Sequence, residues 1–235
     1  MTFTSFKDIS GNLIDLSSSQ KFVEHTHAQH SCVGAIVHQF NDDFYYFLRG
    51  QEELNIIDLG ANVGLFSLYV SSVAEKIFAV EPTPSHFALL NELVKLTNKQ
   101  NIECHQLAIG VADGKADFHI HEGNSTMNSF IKHRTNHHSD VNVEVKTQTL
   151  NSFIDTLNLT SNVGFVKMDI EGFENEVIFE SSFEDAVKKI DALYVEVHDF
   201  DELGKMEQNF NKIKERFLSW GKSVDKLQLD GMLVY

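Results

Sequence analysis

The chain has little of what a secreted, membrane-bound or nucleic-acid-binding protein needs. Its 235 residues include only two cysteines, Cys32 and Cys104. Their spacing makes neither a thiolate metal site nor a redox pair, and it suits a reducing compartment where a thiol serves as a small hydrophobe. Basic residues are scarce, 19 against 34 acidic ones for a net charge of -15. No cationic face is available for a phosphate backbone or an anionic membrane surface. No apolar stretch reaches the length of a membrane span or a signal-peptide core, so a cytoplasmic protein without membrane insertion is expected. The two prolines, Pro82 and Pro84, form no proline-rich linker, and no internal repeat is visible. A chain of this length is ample for one buried core, and α/β domains of this size are commonly single.

What the sequence does have is the run Asn55 to Leu68, Asn-Ile-Ile-Asp-Leu-Gly-Ala-Asn-Val-Gly-Leu-Phe-Ser-Leu. Ile56, Ile57 and Leu59 read as a short buried strand with Asp58 near its carboxyl end. Gly60 and Gly64 remove side chains where the chain must turn and where a ligand would touch backbone. A dinucleotide turn wants G-x-G-x-x-G, its second glycine admitting a pyrophosphate to the helix N-terminus. Asn62 holds that place here, which favours a nucleoside cofactor without a pyrophosphate, S-adenosylmethionine being the common one. The next strand, Lys76 to Val80, ends in Glu81, about twenty residues beyond the turn, where a carboxylate meets ribose hydroxyls.

Residues 1–30 are polar and read as an irregular cap or tail, followed by an amphipathic helix from Val33 to Leu48 that Gly50 stops. The organisation expected is a cap or helical extension over 1–50 and a catalytic domain over 51–235. Within the latter, a helix follows Gly64 and another runs from about Ser85 to Lys95. A strand is expected over Ile102 to Ile109, then a hairpin about the Asp113-Gly114 turn with Ala116, Phe118 and Ile120 alternating beyond it, and Val141, Val143 and Val145 read as a further strand. The polar stretch 121–140 is long for a loop and reads as a candidate lid. A short helix over Leu150 to Leu157, a strand over Val163 to Ile170, a helix over Phe173 to Ile190 and a strand over Ala192 to Val197 come next. A helix over Lys205 to Trp220 and a terminal antiparallel hairpin about Asp230-Gly231 complete the pattern. Strands alternating with helices imply a doubly wound, Rossmann-like α/β sheet with helices on both faces.

In such sheets ligands lie beyond the carboxyl ends of the strands. Two further groups stand there, Lys167-Met168-Asp169-Ile170-Glu171-Gly172 and Glu196-Val197-His198. Period-two geometry puts Lys167, Asp169 and Glu171 on one side if the strand persists, and likewise Glu196 and His198. Transfer of a methyl group to an alcohol needs positioning and removal of a proton, so His198 or Asp169 is the candidate base, with Glu171 beside them. A divalent cation held by Asp169, Glu171, Glu196 and His198 is chemically reasonable, but no metal site is assigned. The clusters His25/His27/His30 and His133/His137/His138 read as solvated.

Ile57-Asp58-Leu59-Gly60-Ala61-Asn62-Val63-Gly64, Val80-Glu81-Pro82, Thr149-Leu150-Asn151-Ser152-Phe153 and Lys167-Met168-Asp169-Ile170-Glu171-Gly172-Phe173-Glu174 together resemble the FkbM family of methyltransferases. The resemblance runs from about Leu54 to His198 and implies the seven-stranded class I methyltransferase fold with S-adenosylmethionine as cofactor. It implies a hydroxyl acceptor on a sugar, glycan or secondary metabolite. By position it places Asp58, Gly60, Asn62 and Gly64 about the methionine part, Glu81 at the ribose, and Gln106 to Ala108 at the adenine. Asn151 departs from the acid the family often carries after Thr-Leu, at a peripheral turn. A nicotinamide-dependent oxidoreductase and a catalytically silent cofactor-binding protein stay open as alternatives.

Overall fold

The computed structural model describes residues 3–121, 128–130, 140–198, 206–227 and 231–235. The chain begins with a small hairpin, β1 (Ser5–Lys7) and β2 (Leu13–Asp15), which buries Phe6 and Ile14. Asp8 closes it by accepting the backbone N–H groups of Ser10 and Asn12 at 3.0 and 2.8 Å. Helix α1 (Gln20–Ala28) starts where the Ser19 hydroxyl caps the N–H of Phe22, and α2 (His30–Asn41) follows directly. The described residues of the segment expected to be irregular, 3–30, thus form a hairpin and helices. The helix expected over Val33 to Leu48 ends early, because Asp43 takes a left-handed φ of 57° and a single 3-10 turn, Tyr46–Leu48, follows.

Strand β3 (Leu54–Leu59) leads through the glycine turn to α3 (Leu65–Val70), and β4 (Ala74–Val80) leads through the two prolines to α4 (Pro84–Leu96). The strand expected over Ile102 to Ile109 is split into β5 (Ile102–His105) and β6 (Ala108–Ile109), which lie in different sheets. Strands β7 (Gly114–His121) and β8 (Asp140–Gln148) pair antiparallel, and β8 holds β6 on its other edge in a separate three-stranded sheet. Most of the stretch 121–140 expected as a lid, with His133, His137 and His138, lies outside the described residues.

Helix α5 (Leu150–Thr156) is capped by the Thr149 hydroxyl, and β9 (Val163–Met168) enters the sheet beside β3. The single helix expected over Phe173 to Ile190 is two, α6 (Glu174–Ile178) and α7 (Phe183–Val187). The Glu180 carboxylate accepts the N–H and hydroxyl of Ser182 at 2.9 and 2.6 Å between them, which turns the chain locally. Strand β10 (Ile190–Glu196), helix α8 (Met206–Ser219) and the strands β11 (Val224–Lys226) and β12 (Gly231–Val234) end the chain.

The main sheet has the order β11-β12-β10-β9-β3-β4-β5, with β12 antiparallel to both neighbours and the rest parallel. This is the class I methyltransferase arrangement. Both faces are buried, so β3 is apolar throughout except Asn55 and Asp58. Ile56 joins a core with α1, α2, α3 and α4, whereas Ile57 and Leu59 join a second with α5, α6, α7 and α8. Phe6, Phe22, Val37, Phe40 and Tyr45 belong to the first of these, so the N-terminal segment packs into the sheet's own core. No helix among the described residues is long and apolar enough to cross a membrane. The sheet reverses its winding between β3 and β9, which opens a crevice at their carboxyl ends.

Candidate active site

A cavity of about 630 Å³ fills that crevice, a size usual for a small-molecule site. Asp58, Gly60, Asn62, Glu81, Ala108, Asp169, Glu171 and His198, each expected from the sequence, all line it. Gly64 and Gln106 do not. Gly64 is the N-cap of α3 at φ 87°, and a Cβ there would strike the Leu90 side chain, so packing explains it. Gln106 is exposed at the bend between β5 and β6, while its neighbours Leu107, Ala108 and Ile109 form the wall.

At the β3–β4 end the acids are held by neutral donors. Glu81 accepts the N–H of Asn62 on one oxygen at 2.9 Å and that of Thr83 on the other at 2.8 Å. Burial still pushes its carboxyl above the usual range, against those hydrogen bonds. Asp58 is fully buried and takes the Ser67 hydroxyl on Oδ2 at 2.6 Å, while its Oδ1 and the Oδ1 of Asn62 have no hydrogen-bond partner. Burial raises the Asp58 carboxyl as well, with Lys167 opposing. Gly60 stands at φ 77°, and a Cβ there would overlap the carbonyl oxygen of Asp169. The glycine is thus required by the neighbouring strand's loop, not only by a ligand.

At the β9–β10 end charges face one another. Strand β9 stops at Met168, where the Asp169 N–H bonds the Leu59 carbonyl at 3.1 Å, and the chain then turns through positive φ at Glu171 (55°) and Gly172 (95°). The strand does not persist to Glu171, so that acid reaches the side of Lys167 and Asp169 through the turn and not through strand alternation. Lys167 Nζ bonds Asp169 Oδ2 at 2.7 Å. Burial would lower the lysine, but Asp169, Asp58 and Glu196 together raise it above its usual range. Burial alone would raise Asp169, and Lys167 with His198 holds it below the carboxylate range.

His198 lies within an acidic ring, its Nε2 3.5 Å from Glu171, 3.8 Å from Asp169 and 3.9 Å from Glu196. Its Nδ1 is 3.0 Å from Glu174 Oε1, and a carboxylate oxygen can only accept, so Nδ1–H donates. Burial would depress this imidazole, but the Glu174 hydrogen bond and charge, with Asp169 and Glu171, push it up to about 10. The acids around it thus favour the protonated imidazolium, a hydrogen-bond donor, at neutral pH. Burial and the charge of Asp169 push Glu171 well above the carboxylate range and Glu196 to about 7. Ligand atoms of Asp169, Glu196 and His198 come within 4.8 Å of one another, as a metal site requires, but Lys167 and the imidazolium already supply positive charge there.

The sequence reading missed Glu174 and one wall of the cavity. That wall is the face of α2 bearing Cys32, Ala35, Ile36 and Gln39, continued by Tyr45. Its spacing of three and four residues was legible as a helical stripe, but a stripe facing a cavity looks like one facing a core. Phe118 and Phe130, from the small sheet and the segment beside it, close the remaining side. His25, expected to be solvated, stacks edge-on against His86 with ring centroids 5.7 Å apart.

A family model described as methyltransferase FkbM domain matches residues 58–224. Among curated proteins, Methyltransferase 1 of Beauveria bassiana (strain ARSEF 2860) is 26% identical over 158 residues, 59% of this chain and 63% of that protein. The chain thus spans less than two thirds of that relative. Among solved structures, methyltransferase FkbM from Methylobacillus flagellatus KT aligns with a TM-score of 0.49 at 15% identity, covering 79% of this chain and 44% of that one. A SAM-dependent methyltransferase from Aquifex aeolicus aligns with a TM-score of 0.45 at 12% identity, over 83% and 87% of the two chains.

Proposed function

Since the chain belongs to the FkbM methyltransferase family, its match covering residues 58–224, we propose that it is an S-adenosylmethionine-dependent O-methyltransferase acting on a hydroxyl of a sugar, glycan or secondary metabolite. The observation that carries this reading is the pair of buried oxygens without partners, Oδ1 of Asp58 and of Asn62, on a cavity whose other end holds a proton-accepting acid cluster. A buried acceptor left unpaired costs about 1–3 kcal/mol, which a ligand's N–H groups would recover. Asp58 and Asn62 would hold the amino-acid part of the cofactor, Glu81 the ribose, and Leu107 to Ile109 the adenine.

When bound, the cofactor supplies an activated methyl group on a sulfonium. The protein's remaining tasks are to align the acceptor and to take its proton. Asp169, committed to Lys167 and lowered by it, is a weak base. Glu196 is the better one: it lines the cavity, its nearest imidazolium atom is 3.9 Å away, and its carboxyl titrates near neutral pH. His198 then acts as a donor that orients the acceptor oxygen, with Asp169 and Glu171 fixing the charge around it. The N-terminal segment 1–50 serves as a cap on the 51–235 domain, its α2 face forming the acceptor's far wall. The excess of carboxylates there disfavours polyanionic acceptors and suits a neutral polyhydroxylated one.

Mass spectrometry of the full chain incubated with methyl-labelled cofactor and a panel of sugars and hydroxylated extracts tests this. Labelled O-methyl product is expected, undiminished by a chelator. Glu196→Gln should lower its yield by about 10²–10⁴ while S-adenosylhomocysteine still binds. Absence of both product and S-adenosylhomocysteine binding would overturn the reading.

A further inference from the structure

His198 lies two residues beyond Glu196, the last residue of β10, and has no secondary structure of its own to fix its ring. Among the described residues, the acids that face it come from three places. Asp169 and Glu171 come from the turn after β9, Glu196 from the end of β10, and Glu174 from the first turn of α6. These are not equivalent. Asp169, Glu171 and Glu196 stand 3.5 to 3.9 Å from Nε2, at ion-pair and not hydrogen-bond distance. Glu174 alone among them is within hydrogen-bond reach, at 3.0 Å and on Nδ1.

Glu174 is also the most securely held. Its side chain is 2% exposed, and the oxygen that meets His198 accepts the backbone N–H groups of Ile170 and Gly172 at 3.1 and 3.2 Å. One carboxylate oxygen thereby ties the acid-bearing turn to the histidine ring. Of the turn's left-handed residues, Glu171 falls between those two N–H groups and Gly172 carries the second.

We propose that Glu174 is a positioning residue: it clamps the His198 ring by Nδ1, so that Nε2–H is aimed at the acid-lined cavity and His198 acts there as a fixed hydrogen-bond donor. The inference rests on the acceptor reading given above, but its test does not. It extends that reading to a residue that does not line the cavity and acts through another. A charged second carboxylate on the far nitrogen fixes ring orientation and keeps both nitrogens protonated, as it does for histidines in other sites. The raised titration of His198 agrees with this geometry.

The test is nitrogen-15 NMR of the imidazoles in the full chain, with and without S-adenosylhomocysteine, the His198 signal assigned by its loss in His198→Asn. The wild-type ring should carry protons on both nitrogens at pH 8 and lose one only well above the ordinary histidine range. Glu174→Gln keeps an oxygen for Ile170 and Gly172 but removes the charge. It should lower the His198 midpoint by at least one pH unit, while Glu171→Gln leaves the Nδ1 proton in place. If Glu174→Gln does not fold, the wild-type spectrum still decides, because a neutral ring at pH 8 or an Nδ1 without a proton overturns the proposal. So does a His198 titration unchanged in Glu174→Gln, which would leave Glu174 as a brace for the turn only. A chain that transfers no methyl group would give the same NMR result, so the two readings fail separately.

Discussion

The two ends of the cavity hold their acids in opposite ways. At the β3–β4 end Glu81 and Asp58 are fixed by backbone N–H groups and one hydroxyl, with acceptor capacity left over. At the β9–β10 end Asp169, Glu171 and Glu196 face two cations, Lys167 and His198, and only Glu174, behind the histidine, also accepts backbone N–H groups. Neutral donors hold a carboxylate without taking up its charge, which suits binding. Charges crowded in a buried site shift one another's proton affinities apart, which suits proton transfer. The difference teaches where each function should fail.

The largest effect should come from joining the two ends by force. Gly60→Val must relieve both a φ of 77° and an overlap with the Asp169 carbonyl. The backbone strain alone costs about 1–3 kcal/mol, and S-adenosylhomocysteine binding should become undetectable by calorimetry together with a lowered melting temperature. Normal binding would mean that the turn and the acid loop can separate. Next, Glu81→Gln should weaken S-adenosylhomocysteine by about 1.5–3 kcal/mol, the worth of hydrogen bonds to a charged group, with little change in the His198 titration. A change at both ends would deny that they are held independently.

A third effect is on stability against pH. Burial lowers His86, beside Glu81, and His25, stacked on it, to about 4 from 6.5. The folded state then binds fewer protons than the unfolded chain between those values, so their contribution is complete above pH 6.5 and is lost as pH falls toward 4. For His86 this amounts to about 3 kcal/mol at most. His198 has the opposite sign: raised from 6.5 to about 10, it stabilises fully below pH 6.5 and its contribution fades as pH rises through 10. Urea denaturation from pH 4 to 10 should show His86→Gln flattening the acid limb and His198→Asn the alkaline one.

Much of this was legible in the sequence because it depends on local pattern. Ile56, Ile57 and Leu59 announce a buried parallel strand, and Asp58 and Glu81 stand out as acids at the ends of such strands. The order of strands and helices, and hence the sheet, follows. What was not legible depends on contacts between distant residues or on too few positions. Strands β1 and β2 each bury one residue, so no alternation can be seen. The apolar residues from Ile102 to Ile109 continue through a bend at Gln106 that only the separate sheet explains. The partner of the His198 ring was not legible either, because Glu174 reaches it from another element.

Consider again the lacing of the strand ends. Gly60 and Ala61 both donate to the Val80 carbonyl at 3.0 and 2.9 Å, Asp169 donates to that of Leu59, and Gly60 has no Cβ to keep Asp169 at a distance. The floor of the cavity is therefore one continuous stitched surface across β4, β3 and β9. Exchange of spent cofactor for fresh cannot proceed by parting that floor without losing sheet hydrogen bonds. The walls that remain are α2 and the aromatic flank at Phe118 and Phe130, which the family match only partly spans, so on the proposed function any traffic of reactants would pass there.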